Sequence, residues 1–126
     1  MKRMLATLAV LAAMPAGAAL ADDHCRVSPE QMQSWESVAQ LAHDALDLAA
    51  DMAKDGNPNS VTDAGVGAMC LRTAVLGAVL NARINCGDLE DADYVAQIQS
   101  RCAKLVESAT RQESEILATV DRVMAG

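Results

Sequence analysis

The chain has 126 residues with no Phe, one Trp and one Tyr, and carries a net charge of −7. An acidic chain is repelled by phosphate backbones and by anionic headgroups, and it lacks aromatic platforms on which bases could stack. Nucleic acid is therefore excluded as a partner, and the length suits one domain.

The first residues have the three parts of an export signal. Lys2 and Arg3 give a positive start, and Met4 to Ala13 is an apolar run of ten residues, half of what a bilayer span requires. Pro15 and Gly17 then interrupt it, and Ala19-Leu20-Ala21 supplies a small-x-small cleavage pattern. Residues 1–21 are thus expected to be a cleavable signal peptide, and 22–126 a single domain located in the periplasm, or secreted if the source is not Gram-negative. Cleavage takes 21 of the 126 residues and two of the ten cations, leaving 105 residues at net −9. A later apolar run, Ala64 to Leu80, contains Arg72 and reads as a buried helix, so no membrane span is expected after cleavage.

A cut after Ala21 exposes Asp22-Asp23-His24. A free amine, two deprotonated amides and an imidazole would form the square of nitrogens that Cu(II) and Ni(II) prefer. No other cofactor is expected.

Three helical segments follow. Ser28-Pro29-Glu30-Gln31 is a helix start, with Ser as N-cap, Pro at the first position and Gln completing a capping box. Met32, Trp35, Ala39, Ala42, Leu46, Ala49 and Ala53 recur at steps of three and four, and Val38, Leu41, Ala45, Leu48 and Met52 form an adjoining stripe. Together they predict one wide apolar face. Asp55-Gly56-Asn57-Pro58-Asn59-Ser60 ends this helix. Thr62 or Asp63 can cap the second helix, which runs to about Cys86 and stops at Gly87. It is apolar on most sides, and Gly67, Cys70, Ala74 and Gly77 form a small-residue stripe that would admit another backbone. Asp88, Glu90, Asp91 and Asp93 open a third helix, favoured by its dipole, with a seam through Val95, Ile98, Cys102, Leu105, Ala109 and Ile116.

The fold expected is all-α, an up-down-up three-helix bundle with two disulfides. An even number of cysteines in an exported chain predicts bridges, and separations of 45, 16 and 16 residues lack the close pairs of zinc sites. Cys70 and Cys86 would lie about 24 Å apart along one helix, beyond disulfide reach. A turn at Gly87 would bring Cys70 level with Cys102 and leave Cys25 for Cys86, so the pairing expected is Cys25–Cys86 and Cys70–Cys102.

The third helix outlasts the other two, and its tail carries Ile116, Leu117, Val120, Val123 and Met124. Either this stripe meets a protein partner or a second copy in a homodimer, or the helix breaks near Thr110, where Thr110-Arg111-Gln112-Glu113 could cap a fourth helix. The absence of Gly or Pro favours one continuous helix.

Other constellations are weaker. Asp55, Asn57, Asn59 and Asp63 match positions 1, 3, 5 and 9 of a calcium loop, but Ser60 replaces the Gly and Val66 the bidentate Glu. His43 stands one turn before Asp47 and reads as a solvated i,i+4 pair. Arg101, Lys104 and Arg111 form a basic strip answering acidic neighbours on their own helix. Met32, Met52, Met69 and Met124 read as core filler. No residue set looks catalytic, and the function expected is that of a small periplasmic binding or accessory protein acting through protein contact, or else of a copper or nickel binder. An enzyme is not expected.

Overall fold

The computed structural model describes residues 28–126. Within them lie three α-helices and no strand: α1 (Pro29–Asp55), α2 (Val61–Asn85) and α3 (Ala92–Ala125), with 3₁₀ turns at Pro58–Ser60 and Cys86–Asp88. Residues 1–27, with the expected signal peptide and Asp22, Asp23, His24 and Cys25, lie outside the described residues.

Helix α1 starts as its sequence dictates. Ser28 Oγ accepts from the Gln31 amide at 3.3 Å while the Gln31 side chain accepts from the Ser28 amide at 2.9 Å, completing the capping box. Ser28→Ala removes one of these bonds and is expected to cost about 1 kcal/mol, read as a lower urea midpoint with an unchanged slope. Asn57 caps the Pro58–Ser60 turn by accepting from the Asn59 amide at 3.0 Å. Asp91 caps α3 by accepting from the Tyr94 amide at 2.9 Å. Neither Thr62 nor Asp63 caps α2; Ser60 occupies that position without a side-chain bond.

The core is wholly apolar. Eight of its eighteen buried residues are alanines, and such small contact residues let helix axes approach closely. The Met32–Ala53 stripe of α1 is buried as its periodicity predicts, with Met32 and Leu46 at 0 % exposure. Ile98, Cys102, Ala109 and Ile116 do the same for α3.

Register separates structure from expectation. On α2 and α3, Arg72 reaches Glu113 at 3.1 Å, and the Cβ position of Gly65 lies 3.3 Å from Val120 Cγ2. Seven residues up one helix thus match seven down the other. Cys102 is then level with Arg83, and Cys70 with Glu115, so the two cysteines are separated by about 20 Å along the bundle. The expected Cys70–Cys102 bridge does not form, and Cys70, Cys86 and Cys102 are all free thiols. The chain does not reverse at Gly87. The turn at Cys86–Asp88 carries it onward, and the first turns of α3 run past the end of α2 beside the start of α1.

The same register covers the tail of α3, bringing Val61 level with Met124. Ile116 and Val120 are 3 % and 6 % exposed, Leu117 and Val123 are half-buried, and only Met124 stands in solvent. The stripe proposed as a partner surface is therefore occupied by the chain's own α2. Helix α3 is continuous through Thr110, whose hydroxyl donates to the Val106 carbonyl at 2.8 Å within the helix, so no fourth helix begins there.

Two of the free thiols are buried. Burial, reinforced by the Glu36 carboxylate, pushes Cys86 and Cys102 above the ordinary thiol range. Above that range the folded state holds protons that the unfolded state has released, so stability is complete below it and is lost as pH rises through it. The unfolding midpoint in urea is expected to fall between pH 8 and pH 10, and a thiol reagent at pH 7 to modify Cys70 well before Cys86 or Cys102.

Candidate functional site

Helices α1 and α3 run parallel and meet along a polar seam. Three cross-helix contacts share an offset of 65 residues: Arg101 to Glu36, His43 to Ser108, and Gln112 to Asp47. The seam follows from spacing. Glu36, Gln40, His43 and Asp47 step by four, three and four beside the apolar stripe of α1, and Arg101, Lys104, Ser108 and Gln112 flank that of α3. In a bundle such positions bridge neighbouring helices at the edge of the core.

At the lower end, Arg101 grips Glu36 with Nε at 2.7 Å and Nη2 at 3.1 Å, a two-pronged charge-assisted contact. The Glu36 side chain is 18 % exposed, and its hydrogen bond to Arg101 raises the guanidinium's affinity for its proton further. Glu36, Ser37, Gln40, Arg101, Lys104 and Leu105 line an open groove of about 420 Å³, with Lys104 as a second cation on its wall. The basic strip foreseen on α3 therefore reaches across to α1 at Arg101, while Arg111 does pair with Glu115 of its own helix at 3.9 Å.

One turn above the groove, His43 Nε2 lies 2.9 Å from Ser108 Oγ. The imidazole is 17 % exposed, and its Nδ1 stands 3.6 Å from Asp44 Oδ1, too far for a hydrogen bond. Nδ1 is buried and has no hydrogen-bond partner among the described residues. Asp44 itself accepts from Gln40 Nε2 at 2.7 Å. Hydroxyl, imidazole and carboxylate thus stand in order without forming a closed triad, since the carboxylate does not hold the ring. Such a ring can accept a proton at one nitrogen and release one from the other. The expected His43–Asp47 pair is absent: Asp47 accepts from Gln112 at 3.0 Å, and the histidine reaches α3 instead.

The remaining sequence candidates do not converge. Asn57 is committed to its turn, and no group of three His, Cys, Asp or Glu side chains among the described residues could hold a metal ion. Met32 is core, but Met52, Met69 and Met124 are exposed by 51 %, 42 % and 63 %.

A profile described as formiminotransferase-cyclodeaminase matches residues 30–104, more than half of the chain. The chain belongs to that family. It is also 28 % identical over 98 residues to the formimidoyltransferase-cyclodeaminase of Gallus gallus, an alignment covering 78 % of this chain and 16 % of the relative. The chain thus spans about a sixth of the length of that relative. No solved structure matches it.

Membership in this enzyme family overturns two expectations, that the chain is not an enzyme and that it is a small binding or accessory protein acting through protein contact. The matched stretch contains Glu36, His43, Arg101 and Lys104, whereas Ser108 falls just beyond it. Sequence reasoning missed Glu36 and Ser108 as site residues. The available signal was the matching three-and-four spacing of polar residues beside the apolar stripes of the first and third helices.

Proposed function

We propose that this chain is a helical module of cyclodeaminase chemistry, closing a ring on a formimino group with loss of ammonia, and that His43 moves the proton. The observation that carries the reading is the cross-helix His43–Ser108 contact at 2.9 Å, placed beside an open groove in a chain of this family.

Ring closure of this kind joins a nucleophilic nitrogen to the formimino carbon. The new C–N bond leaves a proton on the attacking nitrogen, and the old C–N bond breaks once the departing nitrogen is protonated and leaves as ammonia. One group that takes the first proton and supplies the second serves both halves, and a neutral imidazole does this near pH 7. Ser108 fixes the ring from α3, and Lys104 offers the groove a charge for an anionic substituent. Among the described residues the seam carries one imidazole, His43, and a single proton relay of this kind is what ring closure needs, which favours the ring-closing half of the relative's name.

The test uses the full chain and the mono-formamidine of a 1,2-diamine, which can close to a five-membered ring with release of ammonia. Ammonia formation above the buffer rate that is lost in His43→Gln supports the reading. Ammonia formation no faster than in buffer, or equally fast in the variant, removes it.

A further inference from the structure

One buried group in the seam is left without a partner. His43 Nδ1 has no hydrogen bond among the described residues, an arrangement that costs stability unless something meets it. Its protonation follows from the other side of the ring. Ser108 Oγ is approached by His43 Nε2 at 2.9 Å and by Arg111 Nη2 at 3.5 Å. A guanidinium only donates, so the hydroxyl accepts from Arg111 and turns its own proton toward the imidazole. Nε2 is then the acceptor, and the proton of the neutral ring sits on Nδ1. The unpartnered atom is a donor.

On α1 two carboxylates follow His43 within one turn. Asp47 accepts from Gln112 at 3.0 Å and is engaged with α3. Asp44 Oδ1 stands 3.6 Å from Nδ1, and a move of about 0.7 Å would bring it to hydrogen-bond length. Gln40 holds it off, because its Nε2 donates to that same oxygen at 2.7 Å. The same glutamine lines the groove of about 420 Å³ together with Arg101 and Lys104. Its amide can therefore serve either Asp44 or a molecule in the groove.

We infer that Gln40 is a latch on Asp44, released by the substrate. A carboxylate in the groove draws the Gln40 amide to itself, and the freed Asp44 closes on His43 Nδ1–H. The inference rests on the proposed role of His43 and adds two positioning residues to it. The occupant's chemistry follows from the groove, where Lys104 supplies a charge and Gln40 a directed N–H, both suited to an anionic oxygen. The relay is then complete only when the groove is filled. Ring closure puts a proton on Nε2 while Nδ1 keeps its own, so the imidazole becomes a cation. A carboxylate bonded to Nδ1–H stabilises that cation and fixes the ring. Asp44 stays ionised, and the ring is neutral again once the departing nitrogen takes the proton. Asp44 is 62 % exposed, so water screens its hold on the ring. The gain expected is about tenfold, well below that of a buried carboxylate.

Nitrogen NMR of the histidine-labelled full chain, with turnover of two substrates, tests the inference. The His43 signals are assigned by their loss in His43→Gln. The neutral ring is expected as the Nδ1–H tautomer. Gln40→Met keeps the side-chain length without the donor, and is expected to move the Nδ1–H proton downfield. Acetate, as a carboxylate probe, is expected to move the wild-type signal the same way and to leave Gln40→Met unmoved. The substrates are the mono-formamidines of a 1,2-diamine and of 2,3-diaminopropionate, which close the same ring without and with a carboxylate. Wild-type kcat is expected to be about tenfold higher for the second. Gln40→Met should raise kcat for the first by that factor with KM unchanged, and Asp44→Asn should abolish the difference. An Nε2–H tautomer, an Nδ1–H signal indifferent to Gln40→Met, or a kcat ratio that survives Asp44→Asn each overturns the latch. The nitrogen signals need no turnover. Their expected shifts without ammonia release support the latch and remove the ring-closing reading, whereas ammonia release lost in His43→Gln with unmoved signals removes the latch alone.

Discussion

His43→Gln is expected to lower ammonia release by about 10²- to 10⁴-fold, the usual contribution of a positioned acid–base group, with little change in the unfolding midpoint. Glutamine keeps a polar group near Ser108 but cannot cycle a proton. The small stability effect follows from position. His43 sits at the margin of the core, its contact to Ser108 is one neutral hydrogen bond, and such bonds contribute about 1 kcal/mol. Ser108→Ala separates the two roles. It leaves the imidazole in place without its anchor on α3, so a loss smaller than that of His43→Gln is expected. Equal losses would instead make Ser108 a participant in the proton path. A pH–rate profile that keeps its shape in Ser108→Ala and loses its inflection in His43→Gln would confirm that the histidine carries the proton and the serine positions it.

How much of this arrangement the sequence shows depends on the distance over which the signal acts. Helix starts and stops are local, and Ser28 with Gln31, Asn57 and Asp91 all act where their residue types predict. The buried stripes of α1 and α3 follow from periodicity within one helix. What periodicity leaves open is how far one helix slides along another. A turn at Gly87 is a reasonable pivot, yet the 3₁₀ turn at Cys86–Asp88 and the capped start of α3 at Asp91 shift the register until Cys70 stands level with Glu115 rather than Cys102. The Cys70–Cys102 bridge fails for that reason, while Cys86 is a free thiol and its expected partner Cys25 lies outside the described residues. The same slide explains the site. His43 has a tempting neighbour at Asp47 one turn away, and its actual partner is 65 residues further along the chain. Nor does an apolar stripe announce what covers it. Leu41, Leu48 and Met52 have the same periodicity as the buried Ala39 and Leu46, and they remain 72 %, 65 % and 51 % exposed.

Val120→Asp tests that last point on α3. A free stripe would tolerate the substitution, since surface changes stay within about 0.5 kcal/mol, and its effect would appear in binding to another molecule. The structure predicts the opposite. Val120 is 6 % exposed, and its methyls face the Gly65 backbone across the contact between α2 and α3. An aspartate there would face the apolar contact with Gly65, and the Arg72–Glu113 pair, two helical turns away, is already neutral as a unit. An uncompensated buried carboxylate costs about 3 to 5 kcal/mol, a large share of the 5 to 15 kcal/mol that holds a typical domain together. The expected result is a chain that unfolds at markedly lower urea, or fails to fold at pH 7 and partly recovers as the carboxylate is protonated in mild acid. Met124→Asp, one turn further on and 63 % exposed, is the control and should leave the midpoint unchanged. Equal tolerance at both positions would mean that α2 does not cover the tail of α3, and the register that separates Cys70 from Cys102 would fall with it.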